Sequence, residues 1–345
     1  MKKMKAAIYD GIKDINLHQV DYVQPAPGYV TLDTKCTGIC GSDLHNYFGN
    51  WIPSETWAQG HETCGLIVEV GEGVTTLQPG DLVAMECFSH CGQCHYCQTG
   101  AYNHCLDRKW ASDNNHGGFA EYTTVHASGV FKLPEGTSFE QGALVEPLAV
   151  CWRALAQAQA THNDRVAIIG GGTIGLLCLA VAKAIGVKDT LITVKYDQQA
   201  KLAQTYGADH IINVTQTDVK EAVADLTHNL GMDAVIETVG GAQNFDDALA
   251  ITRRQGRLVL VAGYHRPLQV DLRRVVWGEI NLTGSNCYAY SGMRTDFQAA
   301  IDLITKDEID ATAIITHCYP FDEISEAFRI AADKRSGSVK VHVFQ

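Results

Sequence analysis

The sequence predicts an α/β chain in which a β-rich part and a doubly wound parallel sheet share one polypeptide. Three observations predict it. The 345 residues exceed what one ordinary core takes. The first 150 residues break into short strand-like runs. From about Arg165 onward, apolar strands alternate with helical stretches. With 46% hydrophobic and 19% charged residues, the composition is that of an ordinary globular chain, which excludes wholesale disorder.

Taken in order, the start Met1-Lys2-Lys3-Met4-Lys5 is basic, but Tyr9, Asp10 and Lys13 interrupt the apolar core a signal peptide needs. A cytoplasmic chain is therefore expected. Runs at 30–34, 64–70 and 81–85, separated by Gly and Pro, read as strands. The alternation then sets strands at 166–169, 190–194, 211–214, 234–236 and 258–261. Helices fill the gaps, running to 185, to 206, and over 221–228 and 246–252. Apolar strands of this kind need a parallel sheet covered on both faces. Residues 166–187 have the hydropathy of a membrane span, but the glycines at 170, 171, 172 and 175 point to a strand, a turn and a buried helix instead. A strand at 280–284 closes the sheet, and the signals from there to Gln345 fit it poorly.

Charge excludes two partner classes. With 27 Lys and Arg against 39 Asp and Glu, the formal charge of -12 repels nucleic acid and anionic membrane surfaces. The twelve cysteines, in a reducing compartment, are expected to be metal ligands or buried thiols.

Gly170-Gly171-Gly172-Thr173-Ile174-Gly175 follows an apolar strand and opens a helix, the context a dinucleotide loop requires. Gly170 permits the tight turn, Gly172 lets the backbone approach a pyrophosphate, and Gly175 lets helix and sheet pack closely. The N–H groups of the first helical residues, Thr173 and Ile174, add a positive helix end. Such a fingerprint usually has an acidic residue about 20 positions on, which binds the adenosine ribose. Here Val194 stands 19 positions after Gly175, with Lys195 beside it. The missing carboxylate and added cation tilt the cofactor from NAD toward NADP; in the competing reading Asp197 reaches the ribose and Lys195 is simply solvated.

Cys91, Cys94, Cys97 and Cys105 form a CxxCxxCx7C cluster. Four thiolates at that spacing can close a tetrahedral shell around a structural zinc ion. Iron–sulfur ligation shares part of the spacing, but nothing else suggests electron transfer. Cys40, His61 and Glu62 are more dispersed, and each alone has a bland explanation in the core or on the surface. Together they offer the mixed Cys, His and carboxylate donors of a catalytic zinc site.

At these residues the chain resembles the zinc-containing medium-chain dehydrogenases, the superfamily of alcohol and sorbitol dehydrogenases, and within it the polyol branch. The runs Gly38-Ile39-Cys40-Gly41-Ser42-Asp43, Gly60-His61-Glu62-x-x-Gly65-x5-Gly71 and Gly80-Asp81, the four cysteines and the glycine loop occur in family order. The resemblance implies a GroES-like catalytic domain over 1–149 and 288–345, with a Rossmann domain over 150–287 between them. It explains the poor fit of the last sixty residues to the parallel sheet. Alcohol dehydrogenases carry Cys where this chain has Glu146, and the Glu146-Pro147 pair resembles the polyol branch. In that branch the zinc shell is completed by the Glu beside the His or by the later Glu, so both Glu62 and Glu146 stand as candidates.

The resemblance also implies a proton relay in which Ser42 accepts the alcohol proton and passes it through the cofactor ribose toward His45. It further implies two zinc ions per chain, one catalytic and one structural, and a homodimer or homotetramer, with the strand at 280–284 as a pairing edge. Adjacent hydroxyls can chelate a carboxylate-rich metal site, so the expected substrate is a polyol, cyclitol or sugar-derived alcohol. Sorbitol itself is disfavoured, because Gly284-Ser285-Asn286-Cys287-Tyr288 stands where sorbitol dehydrogenases carry an Arg-Tyr pair. Asn46, Tyr47, Trp51 and Trp110 are pocket candidates without assigned roles. The alternatives are an NAD-dependent threonine or simple alcohol dehydrogenase and, from another class, a zinc-ribbon binding or regulatory protein without catalysis. Cys36, Cys64, Cys87, Cys151, Cys178, Cys287 and Cys318 remain as expected buried thiols.

Overall fold

A computed structural model describes residues 2–50, 59–111 and 116–345. The chain divides into two compact units, the first made of Met1–Glu146, Ala300–Lys306 and Ile315–Gln345, the second of Pro147–Ala299 and Asp307–Ile314.

The N-terminal part of the first unit contains β1 (Lys3–Gly11), β2 (Asp14–Asp21), β3 (Tyr29–Gly38), α1 (Gly41–Tyr47), β4 (Glu62–Val70) and β5 (Leu82–Met85). It continues with β6 (Tyr122–His126), β7 (Val130–Lys132), α2 (Phe139–Ala143) and the start of α3 (Val145–Gln157). The second unit holds β8 (Arg165–Ile169), α4 (Thr173–Ala184), β9 (Asp189–Val194), α5 (Asp197–Thr205), β10 (His210–Asn213), α6 (Val219–Thr227), β11 (Met232–Glu237), α7 (Ala242–Ile251), β12 (Thr252–Leu260), α8 (Arg273–Gly278) and β13 (Asn281–Gly284). After α9 (Asp296–Thr305), the chain returns to the first unit with β14 (Ile315–Pro320), α10 (Ile324–Ala332) and β15 (Lys340–Phe344).

In the first unit the main sheet runs β14-β15-β3-β4-β5-β7, with β6 also paired to β3. Val30 and Leu32 of β3 join Ile67, Val83, Met85 and Val125 in one apolar cluster. A second cluster packs Ile324, Ala327, Phe328 and Ala331 of α10 against Tyr9, Tyr47, Phe119, Val341 and Val343. That cluster explains the last segment of sequence: its apolar stripe is covered by the N-terminal β structure. Register then matters for the site. β15 lies antiparallel to β3 with His342 opposite Gly38, and Gly38 faces Glu62 across β4. A Cβ at Gly38 would lie 2.1 Å from Glu62 Oε2, so only glycine leaves room for that carboxylate.

In the second unit six parallel strands run β10-β9-β8-β11-β12-β13, and strand order reverses between β8 and β11. Ala167, Leu191, Val235 and Leu258 of four neighbouring strands meet Val223, Phe245 and Leu249 from the covering helices. The apolar stretch at 166–187 is the five-residue β8, the glycine turn and the 12-residue α4. At about 1.5 Å per residue, such a helix is well short of a bilayer core. No helix of the described residues is long and apolar enough to cross a membrane.

Two of the expected buried thiols are not buried. Cys318 is exposed and Cys287 only half-buried. Cys318 falls on the outward face of β14, an edge strand that alternates in and out along its length. Cys287 sits at φ 51 in the turn that leaves β13, where the chain comes to the surface.

Candidate metal centres and dinucleotide loop

The four-cysteine cluster lies in a lobe built on a single helical turn, His95–Gln98, with Cys94 at its N-cap. All four sulfur atoms lie within 4.8 Å of one another. Cys91 and Cys97 are 4.0 Å apart, while the Cys94–Cys97 and Cys91–Cys105 pairs are each at 3.5 Å. Zinc–sulfur bonds of ~2.3 Å in a tetrahedron require sulfurs about 3.8 Å apart, so the set fits zinc. Backbone N–H groups of Leu106 and Cys97 point at Cys94 and hold its thiol down at about 6. Those of Gln93 and Cys94 lower Cys91 in the same way, while burial pushes Cys97 up to about 12. Two sulfurs already solvated by amide hydrogens are prepared to bind as thiolates.

The second donor set centres on His61, which lies just ahead of β4. Cys40 caps α1, and its backbone N–H donates to Asp43 Oδ2 at 2.8 Å. Asp43 Oδ1 lies 4.0 Å from His61 Nδ1, and Ser42 Oγ lies 3.5 Å from His61 Nε2. Glu146 enters from the first turn of α3, next to Pro147, and is 5% exposed. Burial alone would lower the His61 imidazole pKa. The neighbouring Cys40, to which it is hydrogen-bonded, together with Asp43 and Glu146, instead raises it well above its ordinary value. A partly buried imidazole drawn toward the cationic form by a thiol and two carboxylates marks a donor set built around positive charge, which suits zinc. Among the described residues, only the four-cysteine group has its ligand atoms all within 4.8 Å of one another, so the donors of this second set stand farther apart.

Glu62 is oriented differently. Its Oε2 lies 2.5 Å from Lys340 Nζ, both side chains are 1% exposed, and the ammonium also donates to the Ile39 carbonyl. Asp43 and Lys340 are the residues to which the sequence reading gave no role. Asp43 had a visible signal as the acidic third residue of a helix whose cap is a metal candidate. Lys340 had none, because it lies 278 residues from its partner.

The remaining candidates divide by burial. His45 is half-buried on α1, 3.4 Å from the Asn50 amide. Asn46 is buried with its side-chain oxygen unpaired, whereas Tyr47 belongs to the apolar core against Phe328. Trp110 packs under the Arg108 guanidinium at 4.5 Å, beside the cysteine lobe. Trp51 lies outside the described residues.

In the second unit the glycine loop bridges β8 and α4. Gly170 has φ 111, and a Cβ on Gly175 would lie 1.7 Å from the Gly170 carbonyl oxygen. Gly172 caps α4, and a Cβ there would meet nothing within 4 Å, so the backbone at this helix N-terminus is uncrowded. Val194 is buried at the end of β9. Lys195 is exposed, with its ammonium 5.8 Å over the Tyr196 ring. Asp197 is exposed in the first turn of α5, where its charge suits the helix dipole.

Residues 26–135 match the family model of the alcohol dehydrogenase GroES-like domain, and residues 173–306 that of the zinc-binding dehydrogenases. A sorbitol dehydrogenase of Halalkalibacterium halodurans is 34% identical over 323 residues, 92% of each chain. An Escherichia coli alcohol dehydrogenase solved with NADH superposes with a TM-score of 0.91 at 27% identity over 100% of both chains. A zinc-binding dehydrogenase of Sinorhizobium meliloti solved with NADP gives 0.90 at 27% identity, also over 100% of both chains.

Proposed function

This chain belongs to the zinc-binding medium-chain dehydrogenases, in the polyol branch, and on that premise we propose how its own residues carry the reaction. It is a zinc-dependent oxidoreductase that transfers a hydride between a CH–OH group of a polyol or sugar-derived alcohol and a nicotinamide cofactor. We assign the first unit as its catalytic domain and the second as its dinucleotide domain.

When bound, the zinc ion would supply Lewis acidity toward the alcohol oxygen and the nicotinamide cofactor would supply the hydride acceptor. Cys40, His61 and Glu146 hold the catalytic ion, and Cys91, Cys94, Cys97 and Cys105 hold a second, structural one. The observation that carries this reading is the division between the two carboxylates. Glu62 is committed to Lys340 at 2.5 Å, which leaves Glu146, buried in the first turn of α3, as the carboxylate for the metal. Asp43 orients the His61 ring from its Nδ1 side, the usual support of a ligating imidazole. Ser42 Oγ, beside His61, takes the alcohol proton. His45, three residues on and on the same face of α1, carries the proton onward to solvent. A donor set that includes a carboxylate suits a substrate bearing adjacent hydroxyls.

The apolar Val194 and exposed Lys195 support a preference for NADP, since no carboxylate stands at the end of β9 to repel a 2′-phosphate. The open edge of β13 and the exposed Leu272, Val276 and Trp277 support a homodimer. The test is a panel of polyols, cyclitols and sugar acids assayed on the zinc-loaded protein with NAD and NADP in parallel. Turnover of a polyhydroxy substrate with higher kcat/KM for NADP is expected, and Lys195→Ala should raise the KM for NADP about tenfold. Failure of every substrate with both dinucleotides overturns the functional reading; higher kcat/KM with NAD overturns the cofactor preference.

A further inference from the structure

Glu237 ends β11 and is fully buried, yet it belongs to neither metal centre and lies outside the glycine loop. Its Oε1 accepts the backbone N–H groups of Val239 and Gly240, each at 2.7 Å. Its Oε2 accepts the Tyr264 hydroxyl at 2.6 Å. A carboxylate withdrawn from water is costly unless donors take its lone pairs. Here three donors converge, and bonds to a charged acceptor are roughly twice as strong as neutral ones.

The donors come from two loops, one between β11 and α7 and one following β12, both at the carboxyl end of the parallel sheet. Ligands of open α/β sheets bind at that end, where the strand order reverses. Reversal here falls between β8 and β11, so the loop after β11 faces the glycine loop after β8. The two loops touch. Thr238 donates through both its N–H and its hydroxyl to the Ile169 carbonyl, at 3.1 and 2.8 Å. A Cβ on Gly170 would lie 2.4 Å from Val239 Cγ2. The loop after β11 also contains consecutive left-handed glycines, Gly240 at φ 84 and Gly241 at φ 83, so little in its own backbone holds it in one conformation.

We propose that Glu237, together with Tyr264, is a positioning residue for dinucleotide binding, fixing the 238–241 loop as the wall opposite the Gly170–Gly175 loop. This inference rests on the dinucleotide reading above. The experiment measures the Kd of NADH and NADPH by fluorescence titration of the zinc-loaded protein, with the melting temperature of the dinucleotide-free protein recorded alongside. Glu237→Ala is expected to weaken binding about tenfold, and Tyr264→Phe about threefold. Glu237→Gln should restore most of the affinity, because its amide oxygen can take both loop N–H groups and its amide nitrogen can donate to the tyrosine. In turnover, KM for the cofactor should rise while kcat at saturation stays within about twofold. Unchanged Kd values in Glu237→Ala, with only the melting temperature lowered, would overturn the proposal. Where that variant does not fold, an unchanged Kd in Tyr264→Phe does the same. Binding of neither dinucleotide by the wild-type protein overturns the functional reading itself, and this inference with it.

Discussion

At the scale of the residue, the two carboxylates near His61 have opposite fates. Glu62 shares full burial with Lys340, so removing either partner leaves an uncompensated charge. Glu62→Gln is therefore expected to lower unfolding stability by roughly 3–5 kcal/mol while the protein keeps its zinc. Glu146→Gln should do the reverse, losing catalytic zinc and more than about a hundredfold in activity with little change in stability. Zinc content by atomic absorption and urea unfolding of both variants separate the two, and equal zinc loss in both would refute the assignment. A second buried group sets a pH dependence. Burial first, and then the Lys340 charge, push His342 down to about 3, and its Nδ1 lies 3.2 Å from Cys36 Sγ. The folded chain keeps this imidazole neutral, whereas the unfolded chain protonates it below about pH 6.5. The unfolded state thus binds the extra proton as pH falls from about 6.5 toward 3, and stability drops by up to about 1.4 kcal/mol per pH unit across that window. In His342→Asn the slope of unfolding free energy against pH should flatten by that amount relative to wild type.

At the scale of the element, the legible features were those whose meaning is carried within one turn or one loop. The cysteine lobe spans 15 residues from Cys91 to Cys105, so its spacing alone brings the sulfurs together. The glycine loop is similar, because the close approach of Gly175 to the Gly170 carbonyl is a local property of a strand turning into a helix. Alternation of strands and helices was readable for the same reason. What could not be read locally was the outward face of β14, since nothing within Ile315–Pro320 says which of its alternating residues face out. The lobe also carries its own prediction. Cys97→Ser should lower the zinc content by about one ion per chain, and amide hydrogens at 91–105 should exchange faster than those of β3 and β4. Unchanged zinc content would argue against the four-thiolate site.

At the scale of the whole molecule, the chain's exposed apolar side chains include Leu272, Val276 and Trp277 of the segment leading into β13, at 58%, 68% and 76% exposure. Three such side chains beside an open parallel edge suit a second copy of the chain. Trp277→Asp is expected to halve the mass measured by light scattering, and a monomeric wild type would remove the proposal. The sequence by itself determined the two kinds of sheet, the glycine loop and the four-cysteine cluster. In the loop and the cluster, residues close together in the chain are held close by local geometry. Only the tertiary structure set Glu62 against Lys340, Asp43 beside His61, and Glu237 under the loops that end in Val239, Gly240 and Tyr264. Most of these pairings depend on which strands become neighbours and in what register. Distant segments acquire that order only when their apolar faces pack, and no spacing within the sequence encodes it directly.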